Sequence, residues 1–198
     1  MEDNGIIFII GGGKSFEKVL NNKKLFDKLK DKNLFAVNNA YKIFPEANYF
    51  HFMDNYFWSI NNDKMFNIWK GKTKPSTACR ALRNNSSLRY YHKKANYGIT
   101  LEKGSVCGNN SGHQSLNIAI QEGYSEIILC GFDMLPVVET HWHNDYTVKS
   151  NVSAYKSNFI PNFEKSVDII KQLKVNVYNI NKESALRCFK FANIEDFL

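Results

Sequence analysis

The chain has no apolar run approaching the ~18 residues that a membrane-spanning helix needs. Its opening residues, MEDNGIIFII, carry acids where a secretory leader would carry lysines or arginines, and no small-residue cleavage site follows. These absences predict a cytoplasmic protein without a membrane span. The four cysteines (Cys79, Cys107, Cys130, Cys188) are far apart and form no CxxC pair, which argues against a zinc site or disulfide framework and for free thiols. No internal repeat and no Pro- or Gly-rich linker divides the 198 residues, so a single domain over 1–198 is expected.

Acidic residues are missing from one long stretch. Between Lys64 and Leu101 there is no Asp or Glu, but there are nine basic residues: Lys64, Lys70, Lys72, Lys74, Arg80, Arg83, Arg89, Lys93 and Lys94. The whole chain carries a net charge of +7, so the remainder is slightly acidic. An insertion-like basic segment at 64–101 implies an anionic partner, whether a phosphate-bearing small molecule, an acidic glycan or a nucleic acid, unless it is only a solvated face. Otherwise the composition is ordinary for a globular protein, with 43% hydrophobic and 23% charged residues.

The apolar runs alternate between strand and helix periods. GIIFII (5–10), NLFAV (33–37), NYFHFM (48–53), EIILC (126–130) and VNVYNI (175–180) read as strands, and KTKPSTAC (72–79) as a poorer one. A helix capped by Ser15 is expected to present Phe16, Val19, Leu20, Leu25, Phe26 and Leu29. Others are expected over 54–69, from Ser111 to Gly123, over 153–173 and over 181–189. Ser111 with Gln114 three residues later fits a capping box, and Gly123 a helix terminus. Alternation of this kind predicts an α/β fold, a Rossmann-like, doubly wound, mostly parallel sheet.

Ligands of such sheets bind beyond the carboxyl ends of the strands. The polar clusters all fall there. Gly11, Gly12, Gly13 and Ser15 follow the first strand, Asn38 and Asn39 the second, and Asp54 the third. Asn110, Ser111 and Gly112 open a helix, and Gly131 and Asp133 follow the strand after it. Glycines beside a helix start present N–H groups to an anion or polar ring and leave room for close approach. The loop fails the G-x-G-x-x-G fingerprint, because Phe16 stands where the third glycine belongs, and the second strand ends in Asn rather than an acid. It also fails the Walker A pattern, whose first glycine would fall at Phe8. Asparagine amides, donor and acceptor together, suit a ribose or base.

One more cluster, ETHWHND (139–145), places His141 and His143 on one face of an extended segment. Three readings stand. They could bind a metal with Asp133 or Asp145, one of them could act as a general base or phosphate contact, or they could simply flank a packed Trp142. No metal is favoured. His51 lies in a predicted strand, His92 in the basic segment and His113 in a first helical turn, where a structural role suffices; none of the three is favoured as a functional residue.

Together, the glycine loop after strand one, NNAY after strand two, the block NSGHQSLNIAIQEGYSEIILCGFDM and the histidine segment resemble the bacterial sialyltransferases of glycosyltransferase family 42. The pattern is closer still to small phage-associated proteins with such a domain. Related domains occur in flagellar motility accessory factors and in a pterin pyrophosphokinase family. The resemblance implies a nucleotide- or nucleotide-sugar-binding protein, a glycosyltransferase using a CMP-type donor without a cofactor, with an unknown and possibly anionic acceptor. It implies that Gly11, Gly13 and Ser15 contact phosphate or ribose, that Asn38 meets the nucleotide, and that Asn110, Ser111 and Gly112 hold base, ribose or sugar. Gly131 and Asp133 would line the site, and His143 or His141 would be the base. Lys14 stands where the family has proline, and Tyr146 and Tyr155 are the candidates for its phosphate-contacting tyrosines. Two alternatives remain. One is a pyrophosphokinase-like transferase using Mg²⁺ with Asp54 or Asp133. The other, less favoured, is a non-enzymatic phage or host accessory protein whose basic segment, with Trp69, Tyr90 and Tyr91, binds nucleic acid.

Overall fold

The computed structural model describes residues 4–135, Trp142 and 152–198. The described residues contain ten strands: β1 (Ile6–Ile10), β2 (Leu34–Val37), β3 (Tyr49–Phe52), β4 (Ser76–Thr77), β5 (Arg89–Tyr90), β6 (His92–Ala95), β7 (Ser105–Cys107), β8 (Glu126–Cys130), β9 (Asn176–Asn179) and β10 (Lys190–Phe191). The helices are α1 (Glu17–Leu20), α2 (Lys23–Lys30), α3 (Asn55–Ile68), α4 (Ser111–Gln121), α5 (Val152–Ala154), α6 (Ile160–Glu164) and α7 (Val167–Gln172). Eight strands form one sheet in the order β10-β9-β8-β1-β2-β3-β4-β5, and β6 and β7 form a second. Every pairing is parallel. This is the α/β, Rossmann-like sheet expected from the alternation of patterns.

The apolar runs follow from burial on both faces. In β1, Ile7 and Ile9 join one core with Ile127 and Leu129 of β8, Leu116 and Ile120 of α4, and Phe163 and Ile170. Phe8 and Ile10 join the other core with Ile128, Phe16, Val19, Leu29, Phe57 and Met65. Successive residues point to opposite faces, so one strand serves both cores. From β1 the chain winds outward through β2, β3, β4 and β5. It then returns to lay β8 on the other side of β1, and goes on to β9 and β10. The order therefore reverses between β1 and β8.

Local structure departs from the sequence reading in several places. Gly13, not Ser15, caps the first turn, a 3₁₀ turn over Lys14–Phe16. The helix behind it breaks at Asn22, whose side chain accepts from Leu25 N at 3.2 Å and starts α2 afresh. The 153–173 helix is a chain of short pieces, with a π turn at Tyr155–Phe159 between α5 and α6. Residues 181–189 form turns rather than a helix, because their polar groups bind the loop after β8. The basic stretch 64–101 supplies the end of α3, β4 and β5 of the main sheet, and β6. Among the described residues no helix is long and apolar enough to cross a membrane.

Candidate functional site

Because β1 and β8 lie side by side in register, from Ile6 opposite Glu126 to Ile10 opposite Cys130, their following loops emerge together. Gly11 N donates to Cys130 O at 2.8 Å, and Gly13 N to Gly131 O at 2.8 Å. Asp133 closes the pair: its Oδ2 accepts from Ser15 N at 2.8 Å, and its Oδ1 accepts from the Ser15 hydroxyl. Asn181, after β9, donates from Nδ2 to the same Oδ1 at 3.0 Å. Ser184 Oγ donates to Phe132 O at 2.7 Å, and Ala185 N to Asp133 O at 2.9 Å. Asn181 and Ser184 were not singled out from the sequence. The signal was their position, polar residues just beyond a strand that neighbours β8.

The glycines are needed for this contact. A Cβ on Gly13 would lie 2.5 Å from Gly131 O, and one on Gly112 2.7 Å from the Phe132 ring. Gly131 has φ +70, a conformation that favours glycine. The close approach these residues permit is thus made by the protein's own backbone and the Phe132 ring. Phe132 links the glycine loop to the start of α4.

At that start, Asn110 is the N-cap. Its Oδ1 accepts from His113 N at 2.9 Å. The expected Ser111–Gln114 capping box is absent, because both side chains are committed elsewhere. Ser111 Oγ accepts from Met53 N at 3.1 Å, joining α4 to the end of β3. Gln114, fully buried, faces His51 Nε2 with Oε1 at 2.8 Å and donates from Nε2 to Gly108 O at 3.0 Å. Ser76 Oγ sits 2.9 Å from His51 Nδ1. The tautomer protonated on Nε2 donates to Gln114 Oε1 and leaves Nδ1 as an acceptor; the single proton of the Ser76 hydroxyl is shared between Nδ1 and Phe50 O, each 2.9 Å away. Burial pulls the His51 pKa down to about 4, with the Gln114 hydrogen bond opposing it. His113 is likewise lowered to about 4 by burial, its ring stacked on Phe163 at 4.5 Å and its Nε2 3.0 Å from Ser166 Oγ. Both histidines are neutral parts of the framework.

The remaining predicted residues lie on the same rim. Asn38 leaves β2 with φ +50, and its side-chain Oδ1 is out of contact with solvent and without a hydrogen-bond partner. Asn39 beside it is buried. Asp54 holds the cap position of α3 without a side-chain cap bond. Its side chain reaches solvent, yet enough protein crowds it for desolvation to raise its carboxyl above the ordinary value. Trp142 lies on the glycine loop: its backbone N donates to Gly12 O at 3.0 Å and its Nε1 to Gly11 O at 2.9 Å. The sequence offered Trp142 only as a packed residue between histidines. His141, His143, Asp145 and Tyr146 lie outside the described residues. Among the described residues no three His, Cys, Asp or Glu side chains gather as metal ligands.

This architecture is a Rossmann-like α/β domain. The chain superposes over 98% of its length on the MAf glycosyltransferase from Magnetospirillum magneticum AMB-1, with TM-score 0.62 and 11% identity. It spans about a third, 34%, of that protein. It superposes equally fully on the sialyltransferase CstII from Campylobacter jejuni, solved with the substrate analogue cytidine-5'-monophosphate, with TM-score 0.58 and 15% identity over 87% of that chain. Neither a protein-family model nor a curated protein matches the sequence.

Proposed function

We propose that this protein binds the nucleotide of an activated sugar on the carboxyl rim of its sheet and transfers the glycosyl group to an acceptor hydroxyl. The observation that carries the reading is Asn38. A non-glycine residue held at φ +50, with a buried amide oxygen lacking a partner, beside the point where strand order reverses, is a strained polar group set out for a ligand. The likeness in fold to two glycosyltransferases supports the same class, and CstII's complex with CMP makes CMP the first nucleotide to try.

In this reaction the acceptor oxygen attacks the anomeric carbon and the bond from that carbon to the phosphate oxygen breaks. The nucleotide leaves with the electron pair, and the hydroxyl proton passes to a base. We assign the base to His143 or His141, the sequence neighbours of Trp142, which itself rests on the glycine loop. Asn39, Asp54 and Asn110 join Asn38 as polar contacts. Gly11, Gly12, Gly13, Ser15, Ser111, Gly112, Gly131 and Asp133 shape the floor. The pyrophosphokinase-like reading has less support, since Asp133 spends both carboxylate oxygens on Ser15 and Asn181.

The test is thermal stabilisation by CMP, CDP, CTP, UDP, GDP and ATP at fixed salt, with and without Mg²⁺. A selective, metal-independent shift with a cytidine nucleotide, abolished by Asn38→Ala, is expected. Absence of any nucleotide shift overturns the reading. With a donor in hand, His143→Ala or His141→Ala removes turnover and leaves the shift intact; turnover that survives both changes overturns the base assignment.

A further inference from the structure

Nine basic residues without an intervening acid would repel one another unless each found a partner. Several have done so. Arg89 pairs with Glu122 at 3.4 Å, Lys94 with Glu102 at 2.9 Å, and Lys74 donates to Ser86 O at 3.0 Å. The side chains of Lys64, Lys70, Lys72, Arg80, Arg83 and Lys93 make no hydrogen bond or ion pair among the described residues, and of these Arg80 and Arg83 stand three residues apart at one 3₁₀ turn, both exposed.

Their placement is fixed by the chain around them. Buried Thr77 ends β4, and its Oγ1 accepts from Cys79 N at 3.1 Å. A 3₁₀ turn, Arg80–Leu82, follows, with Leu82 N donating to Cys79 O at 2.9 Å and Arg83 N to Arg80 O at 3.3 Å. The Leu82 side chain is buried in the core beneath. A 3₁₀ turn has three residues per revolution, so residues three apart stand one above the other. Arg83 keeps helical angles, φ −57 and ψ −28, and the two side chains therefore start from the same side of an anchored turn. Two like charges so placed disfavour one another slightly, and an anion bound between them relieves this. Two guanidinium forks suit a carboxylate or phosphate, which accepts paired N–H bonds.

Because β4 runs parallel to β3, β2 and β1, this turn emerges at the same end of the sheet as the glycine loop. It is three strands from β1, about 14 Å at the usual strand spacing. We infer that Arg80 and Arg83 form the acceptor subsite, and that the acceptor is a saccharide carrying a carboxylate or phosphate group. This rests on the proposed transferase reading for the role of the rim, but the anion site itself can be measured alone.

The experiment is binding of hexagalacturonate and of a phosphorylated mannan oligosaccharide by calorimetry, with maltohexaose as the neutral control and a single-stranded oligothymidylate as competitor. It uses the wild type and the doubly substituted Arg80→Gln/Arg83→Gln protein. Both side chains are exposed, so the melting temperature is expected to hold. One of the acidic saccharides is expected to bind, to lose at least tenfold in affinity in the double variant, and to leave the CMP shift unchanged; which one binds separates carboxylate from phosphate. No saccharide binding, equal binding of maltohexaose, or unchanged affinity in the double variant overturns the inference. So does an oligonucleotide that binds more tightly than either saccharide and depends on the same arginines. If acidic saccharide binding depends on the arginines while no nucleotide stabilises the protein, the anion site stands and the transferase reading falls.

Discussion

Asp133, three residues beyond β8, holds Ser15, five residues beyond β1, by two hydrogen bonds, one from the backbone amide at 2.8 Å and one from the hydroxyl. A third bond from Asn181 binds the loop after β9 to the same carboxylate. One acid thus fixes the loops of three neighbouring strands at the point where the strand order turns. Ser15 and Asp133, read from the sequence as ligand contacts, face each other.

Asp133→Ala is expected to cost about 2–3 kcal/mol, since it removes charge-assisted bonds and leaves their donors unpaired. For a domain of this size, that lowers the melting temperature by roughly 5–10 °C. Asp133→Asn is expected to recover little, because its Nδ2 would meet a donor on at least one side. Thermal unfolding of both variants checks this; a loss under 1 °C in Asp133→Ala would show that the clamp carries no stability.

At the head of α4, the assignment of Asn110 as cap has a direct consequence. Asn110→Ala should cost about 1 kcal/mol, while Asn110→Asp, an equally good acceptor, should cost almost nothing. Ser111→Ala also destabilises, but by a different route, since it leaves Met53 N unpaired at the end of β3. Urea unfolding of the three variants separates these effects. Equal loss in Asn110→Ala and Asn110→Asp would remove the cap.

How far these features were legible in the sequence depends on the range of the interaction that decides each one. The β1 and β8 runs were plain because strands buried on both faces must be apolar throughout, and IIFII and EIILC are nearly so. Gly11, Gly13 and Gly131 were legible as special, but the sequence suggested room for a ligand where the structure has contact between two loops. Deciding between those needed the pairing of residues 118 apart. The Ser111 capping box matched a local rule and failed because Met53 and His51, far off in the chain, claim its two side chains. Residues 181–189 have helical spacing, yet Asn181 and Ser184 gain more by bonding Asp133 and Phe132 than by a helix. Local pattern thus located the rim; which polar group faces which is set by long-range contacts.

Acid sensitivity follows from the two buried histidines. Burial lowers His51 and His113 from 6.5 to about 4. Between those values the unfolded chain binds more protons than the folded one, so stability rises with pH across the window. The contribution is complete above about pH 6.5 and is lost as pH falls toward 4, and each histidine accounts for at most about 3 kcal/mol. Melting temperature measured from pH 8 to pH 4 should be flat at first and then fall steeply below 6.5. His51→Gln should make that fall shallower. A profile that is flat down to pH 4 would mean that neither ring has a lowered pKa in the folded protein.

Trp142 supplies an optical report of the rim. Its indole N–H donates to Gly11 O and its backbone N to Gly12 O, so its ring touches the loop proposed to meet the donor phosphate. A nucleotide that settles against that loop must change the surroundings of the indole. The chain has two other tryptophans, Trp58 and Trp69, which pack against the other helices and strands on the Phe8 face of the sheet. Comparison with Trp142→Phe separates their contribution from that of Trp142. Titration with CMP should therefore change the fluorescence of the wild type by a clear saturable fraction and leave Trp142→Phe unchanged, while thermal shift confirms whether the variant still binds. Should Trp142→Phe keep both the CMP thermal shift and the full fluorescence change, the nucleotide sits away from the glycine loop. If it instead loses the thermal shift and remains folded, Trp142 takes part in holding the nucleotide as well as in reporting it, because losing the indole N–H frees the Gly11 carbonyl that it now orders.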